Sequence, residues 1–314
     1  MFNRALIISN YLYILRPKNV LIVAMSQLLI YWVYIMPLIN ASQIVLDGSL
    51  WWLFIIDTVL IASSGYVVND IFDQHADAFN KPKNSFLGKN KISVKSAWVY
   101  YISLVVFGFF IALHIAIGIG RLHLLVIYPV AVSLLFFYSK YFKKLPLVGN
   151  VVVALFCAFI PGIILYAEWD TIYAFPWLTA AQRFSYLSLF ASYITFAFLS
   201  TMVREIVKDI EDVVGDKAVG ILTLPIISGK DTARSVALGF GLLLLASYGI
   251  LLIPYLTDAS YPNTLPASLF LFVSTVFVLV RLYKASEKND FSDVSKWLKI
   301  LMVVALFVFL CIPF

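Results

Sequence analysis

Only two cysteines occur in 314 residues, Cys157 and Cys311, and both lie in apolar runs. Their scarcity excludes a disulfide framework and a cysteine-based metal site. The three histidines do not make up the difference. His114 and His123 lie toward the far ends of apolar runs, and His75 falls between aspartates on its helix, a poor position for a ligand. Charge is scarce too: 13% of residues are charged against 62% hydrophobic, with a mean hydropathy of +0.94. A water-soluble globule has an apolar share nearer about 45–50%, so that class is excluded and an integral membrane protein is expected.

What is present is a series of apolar runs, each near the roughly 20 residues that a helix needs to cross a bilayer core. Nine are legible: Asn19 to Ile39, Trp51 to Val68, Ala97 to Ile119, Leu122 to Tyr138, Val148 to Tyr166, Tyr186 to Val203, Ala233 to Leu256, Leu265 to Tyr283 and Trp297 to Pro313. The third and fourth are separated only by a turn near Gly120 and Arg121. The run from Asn19 is too long for a signal-peptide core and is expected to stay as the first span. Ahead of it, Ala5 to Leu15 is apolar with tyrosines interspersed, which predicts an interfacial segment within residues 1–18.

Basic residues sort almost completely onto one side of such an arrangement. With the N-terminus and every even-to-odd connection placed in the cytoplasm, that side collects Arg4, Arg16 and Lys18; Lys81, Lys83, Lys89, Lys91 and Lys95; and Lys140, Lys143 and Lys144. It also collects Arg204, Lys208, Lys217, Lys230 and Arg234, and then Arg281, Lys284, Lys288, Lys296 and Lys299. Only Arg121 and Arg183 fall outside. This is the positive-inside pattern, and it explains the net charge of +6 without a nucleic-acid partner.

Acidic residues concentrate in two places. The first is NDIFDQHAD, Asn69 to Asp77, directly after the second apolar run. Asp70, Asp73 and Asp77 stand at i, i+3, i+7 and share one face of a continuing helix. The second is REIVKDIEDVVGD, Arg204 to Asp216, after the sixth run; Asp209, Asp212 and Asp216 repeat the spacing, with Glu205 one turn upstream. One such stripe alone reads equally well as a solvated helix end. Two with identical spacing, on the same side of the membrane, predict an oxygen-lined site for hard divalent cations, magnesium above all, which commonly shares its shell with phosphate.

A phosphate-bearing substrate that also suits a lipid setting is the diphosphate ester of a long hydrocarbon. Magnesium would make the diphosphate a better leaving group, and ionisation of an allylic C–O bond leaves a cation that aromatic faces stabilise. Phe72, Phe107, Phe136, Phe137 and Phe196 are candidates, although for any one of them ordinary packing is the simpler reading. Asn69, Asp70, Asp73, Asp209, Asp212 and Asp216 are the expected metal ligands, with Asp77 joining them or orienting neighbours. Lys81, Lys83, Tyr138, Lys143, Lys144, Arg204 and Lys208 are placed to grip diphosphate oxygens. Positive-inside bias alone would also account for the basic ones.

These residues resemble the UbiA-type intramembrane prenyltransferases across essentially the whole chain. Asn69, Asp70, Asp73 and Asp77 match the family's first motif position for position, followed by Asn80, Lys81 and Pro82, and later by Gly88, Lys89, Ile92 and Ser93. Tyr138, Ser139, Lys143, Lys144, Gly149 and Asn150 look like its linking motif. Arg204 to Asp212, with Gly220 to Pro225, most resembles the branch that alkylates geranylgeranylglyceryl phosphate. The resemblance implies one all-α domain over residues 1–314, with nine transmembrane helices around a central cavity that opens to lipid. It also implies cytoplasmic caps formed by Ala76 to Ser96 and Gly215 to Gly229.

The expected activity is magnesium-dependent transfer of an isoprenoid chain from its diphosphate to a lipid or aromatic acceptor at the membrane. A cation-coupled transporter is the alternative of a different class. It would place its polar groups at the bilayer midplane, whereas these carboxylates cluster at helix ends. Asp57, about two turns inside the outer end of the second run, is expected to be hydrated.

Overall fold

The computed structural model describes residues 4–36, 44–80, 86–88, 91–173, 179–257 and 262–312. The chain is all-helical there, and its extended pairing is an isolated parallel bridge between Leu87 and Ile92. In order the helices are α1 (Arg4–Tyr13), α2 (Pro17–Ile30), α3 (Gly48–Asn80), α4 (Val94–Gly118), α5 (Ile127–Lys140), α6 (Val148–Ala167) and α7 (Trp169–Tyr173). There follow α8 (Ala180–Ala218), α9 (Leu224–Ser228), α10 (Lys230–Leu251), α11 (Ile253–Thr257), α12 (Thr264–Lys284) and α13 (Lys288–Leu310). The described part of each of the nine apolar runs is almost entirely helical. Among the described residues seven helical segments are long and apolar enough to cross a membrane; the stretch Pro17–Val33 is apolar but shorter.

Two compact units make up the chain: Met1–Met25 with Leu46–Leu145 and Val214–Leu222, and Ser26–Val45 with Pro146–Val213 and Thr223–Phe314. In the first unit α3 packs against α4 and α5. Its centre is Ile14, Val67, Val68, Ile71, Leu87, Ile92, Ala97 and Tyr101. The N-terminal segment is therefore more than a surface float. Ile14 is fully buried while Leu12 and Tyr13 are exposed, and Tyr11 meets Tyr100 edge to face at 5.3 Å. One face of the segment thus packs on α3 and α4 while Leu12 and Tyr13 turn away from them.

Close helix contact in lipid depends on small residues, because lipid tails are as apolar as the side chains they would replace. In the first unit Gly108 of α4 admits Tyr128 of α5, whose hydroxyl donates to the Val105 carbonyl at 2.7 Å. A Cβ on Gly108 would stand 2.4 Å from that hydroxyl oxygen. Gly108→Ala is expected to destabilise the protein by about 1–3 kcal/mol, the range for overpacking, read as a lower Tm in detergent. Gly239→Ala is the control: its Cβ meets nothing within 4 Å, so its Tm should hold or rise.

In the second unit α12 packs on both α10 and α13. Lys230 and Arg234 of α10 bond the carbonyls of Ser286 and Ala285, the latter at 2.7 Å, which satisfies acceptors where α12 ends. At the start of α13, Asp290 accepts from the backbone N–H groups of Glu287 and Ser286, each at 2.9 Å. Those bonds hold its carboxyl below the usual carboxylate range.

Candidate active site

α3 contains 33 residues and α8 contains 39. At about 1.5 Å per residue these span about 50 and 58 Å, well beyond a hydrocarbon core of about 30 Å. Both acidic motifs lie on these unbroken helices, so the i, i+3, i+7 reading of each stripe holds as helical geometry.

In the first unit Asp70 and Asp73 are each only 6% exposed. Asp70 accepts from Arg16 Nη2 at 2.7 Å, and the same guanidinium lies over the Tyr66 ring at 5.0 Å. Arg16 has φ +53°, in the left-handed region. Such a backbone is costly for a side chain of this size and persists where surrounding contacts over-determine it; the Asp70 pair and Pro17, the first residue of α2, are two of those contacts. Asp73 Oδ2 accepts from Asn69 Nδ2 at 2.6 Å and from Lys143 Nζ. The negative charge of Asp216 also acts on Lys143, so the last carboxylate of the α8 stripe, 7% exposed, belongs to this unit's polar cluster.

In the second unit Asn150, in the first turn of α6, donates to Asp209 Oδ2 at 2.8 Å. α6 begins from Leu147, whose φ of +62° is again left-handed. Glu205 takes Arg204 Nη1 at 2.8 Å and Lys208 Nζ at 3.2 Å. The carboxylate that extended the stripe upstream is thus an anchor for two of the expected diphosphate ligands. Asp209 and Asp212 are half-buried on the same helix.

Among the described residues no three Asp, Glu, His or Cys side chains converge as a ready metal cluster. The reason is visible in the pairing: like-charged carboxylates one turn apart turn to separate cations or amides, Asp70 to Arg16, Asp73 to Lys143 and Asp209 to Asn150. The donors nevertheless suit a hard divalent ion. Asn69 Oδ1 is buried with no hydrogen-bond partner, beside two buried carboxylates, and an unsatisfied amide oxygen among carboxylates is a magnesium-type ligand set.

The other expected residues separate clearly. Lys81 and Lys83 lie outside the described residues; Asp77 continues α3, and its side chain lies outside them too. Tyr138 is half-buried near Lys143, and Lys144 is exposed. His75, His114 and His123 are all exposed. Phe107 and Phe137 point outward. Phe72, Phe136 and Trp98 form a ring cluster with centroids 5.6–6.4 Å apart, while Phe196 packs on Tyr248 and Phe309. The expectation for Asp57 is corrected. It is 9% exposed, with Oδ1 lacking a partner, because α3 carries it on a packed face with Trp51 and Phe54 instead of a wetted one. Arg16 and Asn150 were not anticipated as partners of the aspartates. Each contact joins residues far apart in sequence, and the local signals are Pro17 after Arg16 and Gly149 before Asn150.

The sequence model of the UbiA prenyltransferase family matches residues 28–306. The chain belongs to the UbiA prenyltransferase family. As a UbiA-family prenyltransferase and integral membrane protein, it is 32% identical over 252 residues to the digeranylgeranylglyceryl phosphate synthase of Methanococcus aeolicus, covering 80% of each chain. A solved structure concerning digeranylgeranylglyceryl phosphate synthase in membranes is 25% identical, covers 97% of this UbiA-family chain and 98% of its own, and gives a TM-score of 0.66. A UbiA homolog from Archaeoglobus fulgidus, bound to GPP and Mg2+, shares the fold at 14% identity, with a TM-score of 0.56 over 96% of this chain and 99% of its own.

Proposed function

We propose that this enzyme transfers a geranylgeranyl chain from its diphosphate to geranylgeranylglyceryl phosphate, forming an ether bond and releasing diphosphate. The carrying observation is the oxygen cluster of Asn69, Asp70 and Asp73, held at the end of a helix long enough to bring it out of the hydrocarbon. The likeness to digeranylgeranylglyceryl phosphate synthases supports the acceptor. The chain acts as one domain with nine spans, its N-terminus and active site cytoplasmic, capped by Ala76 to Ser96 and Gly215 to Gly229. The sorted lysines and arginines support that orientation.

Both stripes serve magnesium: Asn69, Asp70, Asp73 and Asp77 in the first motif, and Asp209, Asp212 and Asp216 in the second. Magnesium, when bound, screens the diphosphate and improves it as a leaving group. Lys143, already in the cluster, has donors to spare for diphosphate oxygens beside Tyr138, and Lys81, Lys83 and Lys144 complete the grip. Arg16 holds the Asp70 carboxylate in one orientation, and Asn150 does the same for Asp209. The caps keep water from the allylic cation. The glycerol hydroxyl attacks carbon 1 of the prenyl group, the C–O bond to diphosphate breaks with its electron pair, and the hydroxyl proton leaves to solvent or diphosphate.

Incubating purified protein with labelled geranylgeranyl diphosphate and a panel of glyceryl phosphate, aromatic acid and quinone-precursor acceptors tests this. The expected product has the mass of digeranylgeranylglyceryl phosphate. Product from an aromatic acceptor alone would overturn the assignment, and so would cation flux in proteoliposomes without any prenyl transfer.

A further inference from the structure

The exposed side of α12 and α13, in the second unit, takes no part in the chemistry above. Arg281, near the end of α12, is exposed, and its guanidinium lies over two rings, Phe277 at 4.9 Å and Trp297 of α13 at 5.6 Å. Those rings meet edge to face at 5.3 Å, yet Phe277 is 44% and Trp297 37% exposed. One cation thus bridges two helices on their outer surface. α8 meets α13 through Phe309, which is buried, and none of the expected metal or diphosphate ligands lies on α12 or α13. This surface is therefore separate from the acidic stripes.

Charge and shape select what covers it. Arg281 and Lys284, one turn apart, have no carboxylate partner among the described residues. The neighbouring acids are engaged: Glu287 and Asp290 in the capping box of α13, and Asp293 with Lys296. A guanidinium stacked on aromatic faces keeps its N–H edge for an acceptor, and beside a membrane helix the abundant acceptor is a headgroup phosphate. Phe270, Phe277 and Arg281 stand at i, i+7 and i+11 on one face of α12, and Trp297, Val308 and Cys311 at i, i+11 and i+14 on one face of α13. Toward the other end of this seam, Asn263, Pro266, Ala267, Phe270, Val308 and Cys311 line an open groove of about 320 Å³. From Arg281 to Phe270 is about 16 Å along the helix, close to one leaflet of a hydrocarbon core about 30 Å thick. A hydrocarbon chain whose headgroup sits on Arg281 therefore ends in the groove.

We propose that the seam between α12 and α13 seats one anionic membrane phospholipid, its phosphate on Arg281 and Lys284 and one chain running past Phe277 to the groove at Phe270. The proposal does not rest on the prenyl-transfer reading.

Native mass spectrometry of the purified protein in nonionic detergent, titrated with dioleoyl phosphatidylglycerol or dioleoyl phosphatidylcholine, tests it. Magnesium-free chelator keeps lipid phosphate from being held through a metal at the acidic stripes. The expected result is one phosphatidylglycerol bound about tenfold or more tighter than phosphatidylcholine. That preference should be lost when Arg281→Gln is combined with Lys284→Gln, and reduced in Arg281→Lys. It should survive Lys18→Gln combined with Lys95→Gln, which removes two exposed charges elsewhere. Dihexanoyl phosphatidylglycerol, whose chains stop short of Phe270, should bind at least about tenfold more weakly than the dioleoyl lipid. Lys284→Gln alone, at an exposed position, keeps the test open if the double variant fails to fold. Equal affinity for the two headgroups would overturn the proposal, as would a preference that survives loss of Arg281 and Lys284 or falls equally in the control. Dihexanoyl lipid held as tightly as dioleoyl would overturn it too.

Discussion

Asp73→Ala is expected to lower kcat/KM for prenyl transfer by on the order of 10³-fold, the scale seen when a preorganised electrostatic group is removed from a reacting centre. Asp73 is the one carboxylate that accepts from both Asn69 and Lys143, so its loss removes an expected metal ligand and unseats two neighbours. The structural cost is separable from the chemical one. Leaving the half-buried ammonium and the Asn69 amide without their acceptor costs about 1–3 kcal/mol, a moderate Tm shift that a monodisperse, folded membrane protein can show while its activity is gone. Asp212→Ala should lose activity on a similar scale through the second stripe. A folded Asp73→Ala enzyme with wild-type turnover would remove the basis for the metal assignment.

Chelation is expected to abolish activity, and added magnesium to restore it. Calcium should restore it poorly, because it favours longer bonds and more ligands than magnesium. Since metal binds the folded chain and not the unfolded one, magnesium at 100 times its Kd should also add about 2.7 kcal/mol of stability. A magnesium-dependent rise in Tm in wild type, absent in Asp73→Ala, checks the site without reference to turnover. Because carboxylate ligands must be deprotonated, the rise should shrink as the pH falls into the carboxylate range. Full prenyl transfer in magnesium-free chelator would sink the mechanism.

Much of the membrane architecture was legible because hydropathy and charge act locally: a run of apolar residues forms helix in lipid whatever its partners. The motif spacing was legible for the same reason, since one helix carries each stripe. Pairing across helices was not. Nothing periodic links Arg16 to Asp70 or Asn150 to Asp209, and a left-handed residue such as Arg16 or Leu147 leaves no local trace when it is not glycine. Asp57 was misread because position along a helix says how deep a residue lies, not which face is packed. Likewise Glu205 belonged to the acidic stripe by spacing, and only the placement of Arg204 and Lys208 showed it to be their counterion.

α3 runs from Gly48 to Asn80 without a proline or a break. A continuous rod of that length turns bilayer thickness into a catalytic variable. A membrane thinner than its apolar stretch makes such a helix tilt, and with no hinge to absorb the tilt, Asp70 and Asp73 move with it while their partners Arg16 and Lys143 sit on other segments. Prenyl transfer is therefore expected to depend on acyl-chain length when the protein is reconstituted in bilayers of different thickness.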